Sequence, residues 1–159
     1  MDRLVEIRQL GYQLQPLVLP SPIHEFVQSR DWSSLDDAIA KEVVCGGVIF
    51  EYLRSLIFFS QIEFIISIRS SLKEPDDDGI WHDDGSRILA FSLSLTRNPD
   101  EIVGGVLEIR KKGDSIRSAK LSTPPFGTMI VFATGVDGFE HKIGSVHKGE
   151  RIIIPGWCT

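Results

Sequence analysis

The hydrophobic pattern of the chain changes near residue 61. Before it, apolar residues recur at helical spacing, as in SSLDDAIAKEVV, where Ser33 or Ser34 serves as N-cap, acids fill the first turn, and Gly46 and Gly47 stop the helix. From Gln61 onward, short runs rich in Ile, Val and Phe alternate with the turn sequences PDDDG, RNPDE, KKGDS, TPPFG and VHKGE. These runs predict strands over 61–70, 79–84, 88–95, 103–109, 116–121, 128–133, 140–146 and 150–154. Seven or eight short strands after a helical start imply a mainly β barrel or sandwich with supporting N-terminal helices. The longest apolar stretch, SLIFFSQIEFIISI at 55–68, contains Gln61 and Glu63. It falls short of the roughly 20 residues a membrane span needs, so it reads as buried strand or helix.

Composition narrows the class. A chain of 159 residues with 42% hydrophobic and 25% charged positions fits one domain over 1–159, with 1–60 as helical support and 61–159 as the β core. Seventeen basic against 22 acidic residues leave a net charge of −5. That removes any general attraction for nucleic-acid phosphates or anionic membranes, so neither partner is expected. Cys45 and Cys158 show no C-x-x-C spacing, which suggests neither a disulfide framework nor a thiolate zinc site. The opening MDRLVEIRQL lacks the apolar core of a secretory signal, and a reducing, cytoplasmic location is expected.

The candidate chemistry lies in DGIWHDDGS, residues 78 to 86. In an extended strand, residues two apart share a face, so His82 and Asp84 would address one point while Asp83 turns away. An imidazole nitrogen and a carboxylate oxygen suit a divalent first-row metal, but such a site needs at least one more ligand. His24 lies in the helical region and His147 at the HKGE turn, whereas His141, 57 residues beyond Asp84, lies on an alternating, strand-like segment. His141 is therefore the expected third ligand. Two histidines and one carboxylate on one face of an iron ion leave adjacent positions for a bidentate cosubstrate and dioxygen. A dicarboxylate 2-oxo acid would need a cation for its far end, and the planar fork of Arg151, ten residues after His141, suits it. With a turn at HKGE, His141 and Arg151 are expected on neighbouring strands of one sheet.

His82-Asp83-Asp84, followed by GGVLEI (104–109), PPFGTMIVF (124–132), HKIGSV (141–146), GERIII (149–154) and Trp157, resembles the 2-oxoglutarate and Fe(II)-dependent dioxygenase superfamily, in its prolyl 4-hydroxylase-like branch. The likeness covers roughly 61–159. It implies a double-stranded β-helix, a jelly-roll or cupin-like barrel, around a metal held by His82, Asp84 and His141. It implies that Arg151 pairs with the C5 carboxylate of 2-oxoglutarate. The implied reaction is oxygen-dependent hydroxylation of a C–H bond in a peptidyl residue such as proline, a free amino acid or a small molecule, with release of succinate and carbon dioxide. Ascorbate is the reductant that the same resemblance brings in.

One departure stands out: many relatives carry a Tyr three residues before the first metal histidine, where this chain has Gly79. Trp81 cannot replace that hydroxyl as an acceptor, because its indole only donates. Asp84 is retained where halogenating relatives have a small residue, which favours hydroxylation. The acids near His82 favour a neutral or cationic substrate. Two other functions fit the same residues: an oxidative nucleic-acid demethylase, which would want a basic groove with stacking aromatics, and a non-catalytic metal-binding β-barrel that binds or senses a ligand. A calcium loop fits less well, since the acids lack the alternating order and terminal Glu of an EF-hand. Gly104 and Gly105 predict a bulge or close backbone approach, and Trp157 predicts core packing.

Overall fold

Four short helices and one strand precede the β core: α1 (Arg3–Leu10), β1 (Tyr12–Pro16), α2 (Ser21–Ser29), α3 (Trp32–Glu42) and α4 (Val48–Leu56). The structure is a computed structural model and describes residues 3–72 and 79–159. The turn expected at Asp76, Asp77 and Asp78 lies outside the described residues. Helix α3 starts earlier than Ser33 or Ser34: Asp31 is its N-cap, and its carboxylate accepts the Ser34 N–H at 3.1 Å and the Ser34 hydroxyl at 2.7 Å. An ionised cap satisfies two donors and complements the positive helix end, which a serine hydroxyl does less well. Each helix turns a narrow apolar stripe inward: Ile7 from α1, Ile23 and Val27 from α2, Leu35 and Ile39 from α3, Ile49 and Leu53 from α4.

The remaining strands are β2 (Ile62–Phe64), β3 (Ser67–Ser70), β4 (Leu89–Ser94), β5 (Val103–Gly104), β6 (Leu107–Lys111), β7 (Ala119–Leu121), β8 (Thr128–Ala133), β9 (Phe139–Ile143), β10 (Val146–Lys148) and β11 (Glu150–Cys158). A major antiparallel sheet runs β1-β8-β4-β11-β2, and β3 also pairs with β11. A minor sheet runs β7-β6-β9, and β10 pairs with β5. Every residue of β4 and β8 is buried, as expected of strands covered on both faces. One hydrophobic cluster joins Leu89, Phe91 and Leu93 of β4 to the helical stripes. Gly156 lies opposite Phe91 in the register, and a Cβ there would collide with the Phe91 ring. The opposite side chains of the major sheet face the minor sheet across a cavity lined from both, by Ser92, Phe132, Ile153, Pro155 and Trp157 on one side and by Leu107, His141 and Ile143 on the other.

Several expected strands are divided. The run 61–70 becomes β2 and β3, 140–146 extends into β9 and β10, and 103–109 breaks into β5 and β6 at Gly104 and Gly105, both at positive φ. The segment 79–84 forms a single bridge, His82 to His141, rather than a strand. Strand β1, inside the region expected to be mostly helical, owes its form to pairing with β8, from Tyr12 opposite Phe132 to Pro16 opposite Thr128. Its Pro16 is acceptable because β1 is an edge strand, where a missing N–H leaves no ladder bond unmade.

Candidate active site

His82 and His141 are brought together by backbone pairing. Each donates its N–H to the other's carbonyl, at 3.0 and 2.9 Å, and Gly79 N–H donates to Ile143 O at 2.7 Å. Directly opposed residues in an antiparallel pair carry their side chains on one face, and here the imidazole centroids are 4.2 Å apart. Trp81, one residue before His82, is covered by the Arg110 guanidinium at 3.8 Å and Lys142 Nζ at 4.9 Å from its ring centre. Both cations come from the minor sheet, so Trp81 clamps the histidine segment to it.

Asp84 reaches the two imidazoles by a different route from the expected strand alternation. Its φ of 60° places it in the left-handed region, which Asp tolerates better than most residues. Asp83 holds that turn: its carboxylate accepts Lys112 Nζ at 2.6 Å and Gly85 N–H at 3.0 Å, and its carbonyl accepts Gly135 N–H at 2.9 Å. The Lys112 hydrogen bond is the main cause that keeps the Asp83 carboxyl below its ordinary range. Asp83 thus turns away from the other two groups, as expected, and anchors the loop that presents Asp84.

Asp84 Oδ1 lies 3.7 Å from His82 Nε2, and Asp84 Oδ2 lies 3.4 Å from His141 Nε2. One ligand atom from each of the three residues falls within 4.8 Å of the others. His82 Nδ1 lies 3.0 Å from the carbonyl of Ile80, an acceptor only, so Nδ1 carries the proton in the neutral ring and Nε2 turns a lone pair toward Asp84. A lone pair facing a carboxylate is repulsive unless a cation sits between them. Asp84 Oδ2 and His141 Nδ1 are buried without a hydrogen-bond partner. The donor set fits a divalent transition-metal ion, and the Ile80 carbonyl supplies the outer contact that orients a ligating imidazole.

Burial holds the His141 imidazolium pKa well below its ordinary 6.5, at about 4, against an opposing pull from Asp84. The ring is therefore neutral, as a ligand must be, throughout the neutral range. The unfolded chain protonates His141 near pH 6.5 whereas the folded chain resists to about 4. The stabilising contribution is complete above pH 6.5 and is lost as pH falls toward 4. Chelator-treated protein should show a falling unfolding temperature across that window, and His141→Leu should show a shallower fall. Equal slopes would exclude His141 as the source.

The cavity between the sheets has a volume of about 140 Å³ and is lined by His82 and His141, by the apolar Phe132, Leu107, Ile143 and Ile153, and by Arg69 and Arg151. That is well above the ~10–15 Å³ a single water needs, so the cavity is roomy enough to admit a small polar ligand or several waters. Arg151 is 3% exposed, and burial first, then the nearby Arg69, push its guanidinium down to about 9, still a cation at neutral pH. Its Nε has no partner. His141 and Arg151 do not share a sheet as expected: β9 belongs to the minor sheet and β11 to the major one, so the two face the cavity from opposite walls. Trp157 lines the cavity rather than serving only as packing, and Arg87 stacks on its ring at 5.0 Å. Cavity residues that sequence reasoning missed include Arg69 and Ser92, the latter with a buried, unpartnered hydroxyl. Ser92 gave only one signal, a polar position inside the apolar run AFSLSL. His24 and His147 are exposed and lie outside the group.

Gly105 makes room for Arg151. At φ +61°, its ideal Cβ would stand 2.9 Å from Arg151 Cδ and 2.9 Å from Val146 Cγ2. Gly105→Ala should cost roughly 1–2 kcal/mol in backbone strain alone and push the guanidinium out of place. A lowered unfolding temperature together with weakened binding of carboxylate ligands is the expected result, read by thermal melts and calorimetry.

The sequence profile of the 2OG-Fe(II) oxygenase superfamily matches residues 71–159, more than half of the chain. The chain belongs to that superfamily. Its two facing sheets are the double-stranded β-helix of these oxygenases, and its His-Asp-His group occupies the matched segment. The oxygenase resembles a Pseudomonas putida prolyl-4-hydroxylase with a TM-score of 0.60 at 16% identity, over 98% of this chain and 93% of that one. It resembles a prolyl hydroxylase from Trichoplax adhaerens, solved with a hypoxia inducible factor oxygen degradation domain peptide fragment, with a TM-score of 0.60 at 14% identity, over 99% and 87%. A viral collagen prolyl hydroxylase from Paramecium Bursaria Chlorella virus-1 follows with a TM-score of 0.56 at 16% identity, over 93% and 88%. At these identities the likeness is one of fold. No curated protein sequence matches the oxygenase significantly. No helix among its described residues is long and apolar enough to cross a membrane.

Proposed function

We propose that this oxygenase is a 2-oxoglutarate- and Fe(II)-dependent hydroxylase in which His82, Asp84 and His141 hold the metal and Arg151 binds the C5 carboxylate of the cosubstrate. The supporting observation is one cavity that joins a His-Asp-His donor group to a buried arginine whose Nε has no partner. Substrate, 2-oxoglutarate and dioxygen would go to hydroxylated product, succinate and carbon dioxide. The prime substrate is a peptidyl residue such as proline, a free amino acid or a small molecule; the fold likeness to prolyl hydroxylases supports the first.

Fe(II), when bound, supplies the redox chemistry that activates dioxygen. The chain's own part is positioning. The Ile80 carbonyl holds the His82 tautomer, and Asp83 with Lys112 holds the turn that presents Asp84. Arg151 fixes the far end of the cosubstrate, and Phe132, Leu107 and Ile143 keep water from the space between. The demethylase reading is weakened by the cations around Trp81, which face acids: Arg110 Nε lies 2.7 Å from Glu140, Lys142 Nζ 3.6 Å from Glu108, and Arg117 Nε 3.4 Å from Asp114. A groove compensated in this way offers little to a phosphate backbone.

Anaerobic titration with Fe(II) and 2-oxoglutarate, followed by oxygen-dependent succinate measurement, tests the proposal without a prime substrate, because uncoupled turnover reports the chemistry. Wild type should bind both and form succinate, and His82→Ala should lose iron and turnover. Metal binding without 2-oxoglutarate binding or turnover would move the protein to the non-catalytic metal-binding reading.

A further inference from the structure

Ser92 has no evident structural use for its hydroxyl. Every residue of β4 is buried, and Ser92, 5% exposed, lines the cavity with an Oγ that has no hydrogen-bond partner. The next serine on the same face, Ser94, is used within the fold, because its hydroxyl accepts the Thr96 N–H at 3.3 Å. A buried hydroxyl left unpaired is costly, and an alanine in its place would avoid that cost. The group that completes Ser92 therefore comes from the cavity.

Register fixes the depth at which this hydroxyl stands. Ala90, on the same face of β4, pairs with Phe132 on β8 and Trp157 on β11, and the Phe132 ring meets His141 edge to face with centroids 4.8 Å apart. Ala90 thus marks the level of the His-Asp-His group. Ser92 pairs with Pro155 and lies ~7 Å deeper, whereas Arg151 is four residues beyond Pro155, ~13 Å further along β11. The hydroxyl stands between the metal-binding group and the arginine, nearer to the former.

We propose that Ser92 is a cosubstrate-binding residue whose hydroxyl donates to the 2-oxo acid head, the end of the ligand that lies at the metal. The inference rests on the cosubstrate reading of the cavity. When Arg151 takes the far carboxylate of such an acid, the head is its one remaining polar part, and the methylenes between accept nothing. An ionised carboxylate and a carbonyl are acceptors only, which suits a hydroxyl donor. Ser92 therefore recognises what all 2-oxo acids share, and Arg151 recognises the second carboxylate.

The test titrates anaerobic, Fe(II)-loaded wild type, Ser92→Ala and Ser92→Thr by calorimetry with two ligands: 2-oxoglutarate, and 2-oxopentanoate, in which a methyl replaces the distal carboxylate. Loss of a hydrogen bond to a charged group should weaken both ligands alike in Ser92→Ala, by about 10-fold. Ser92→Thr keeps the hydroxyl and should bind both more tightly than Ser92→Ala. Fe(II) affinity should not change, and the unfolding temperature of metal-free Ser92→Ala should hold or rise, since an unpaired buried hydroxyl is removed. Weakening of 2-oxoglutarate alone would move Ser92 to the distal carboxylate and overturn the proposal. So would no weakening of either ligand, or weakening accompanied by a clear drop in unfolding temperature. Failure of wild type itself to bind 2-oxoglutarate would instead remove the cosubstrate reading, and the role of Ser92 with it.

Discussion

Arg151→Met should raise the dissociation constant for 2-oxoglutarate by on the order of 100-fold or more while leaving Fe(II) binding near wild type. The guanidinium stands across the cavity from the His-Asp-His group, so the two sites can be separated by mutation. A buried bidentate cation facing a carboxylate contributes at the upper end of charged hydrogen bonds, about 3 kcal/mol, which corresponds to this loss. Without ligand the same substitution should leave stability unchanged or increased. It removes a desolvated charge that repels Arg69 and keeps an apolar stem of similar length, and such exchanges of buried ions are often neutral or stabilising. Calorimetry gives the first quantity and thermal unfolding of the metal-free protein the second. A variant with lowered stability and unchanged 2-oxoglutarate affinity would return Arg151 to a structural role.

Asp84→Asn should cost at least about 100-fold in Fe(II) affinity and reduce succinate formation to near background. Asp84 is the one anion among three donor groups whose other members are imidazoles. Removing a unit charge from the ligands of a dication costs several kcal/mol even at an effective dielectric near 20, where two unit charges as far apart as 4 Å already interact by about 4 kcal/mol. Asparagine retains the shape and tolerates the left-handed φ of 60°, so the turn should persist and circular dichroism should stay unchanged. Iron titration under anaerobic conditions, paired with succinate detection, reads the outcome. Wild-type iron affinity in a folded Asp84→Asn protein would remove the carboxylate from the ligand set.

The class of fold and the three donor groups of the proposed site could be read from local pattern. Turn sequences such as RNPDE and KKGDS interrupt apolar runs, and the resulting strand spacing follows from backbone preference and alternation alone. His82, Asp84 and His141 stood out because few residue types ligate metals and their order matched a known arrangement. Gly104 and Gly105 pointed to a bulge or close backbone approach, and both take the positive φ that glycine adopts most readily.

Long-range pairing decided the rest. Tyr12–Pro16 is a strand only because β8 presents an open edge to it, and no property of YQLQP announces that edge. His82 and Asp84 were matched by a period-two argument that the structure does not use: His82 is aimed by its hydrogen-bonded pairing with His141, and Asp84 by a left-handed turn held by Asp83. Whether His141 and Arg151 lie side by side or face to face depends on which sheet each strand joins, and a separation of ten residues is compatible with both. Arg69 is the clearest case. Nothing in SIRSS singles it out, and its registration against Arg151 places it in the cavity wall. By itself, then, the sequence determined which groups were available and which segments would be extended, because rotamers, turns and periodicity act within a few residues. Which groups meet was decided by strand register, a property of two distant segments at once.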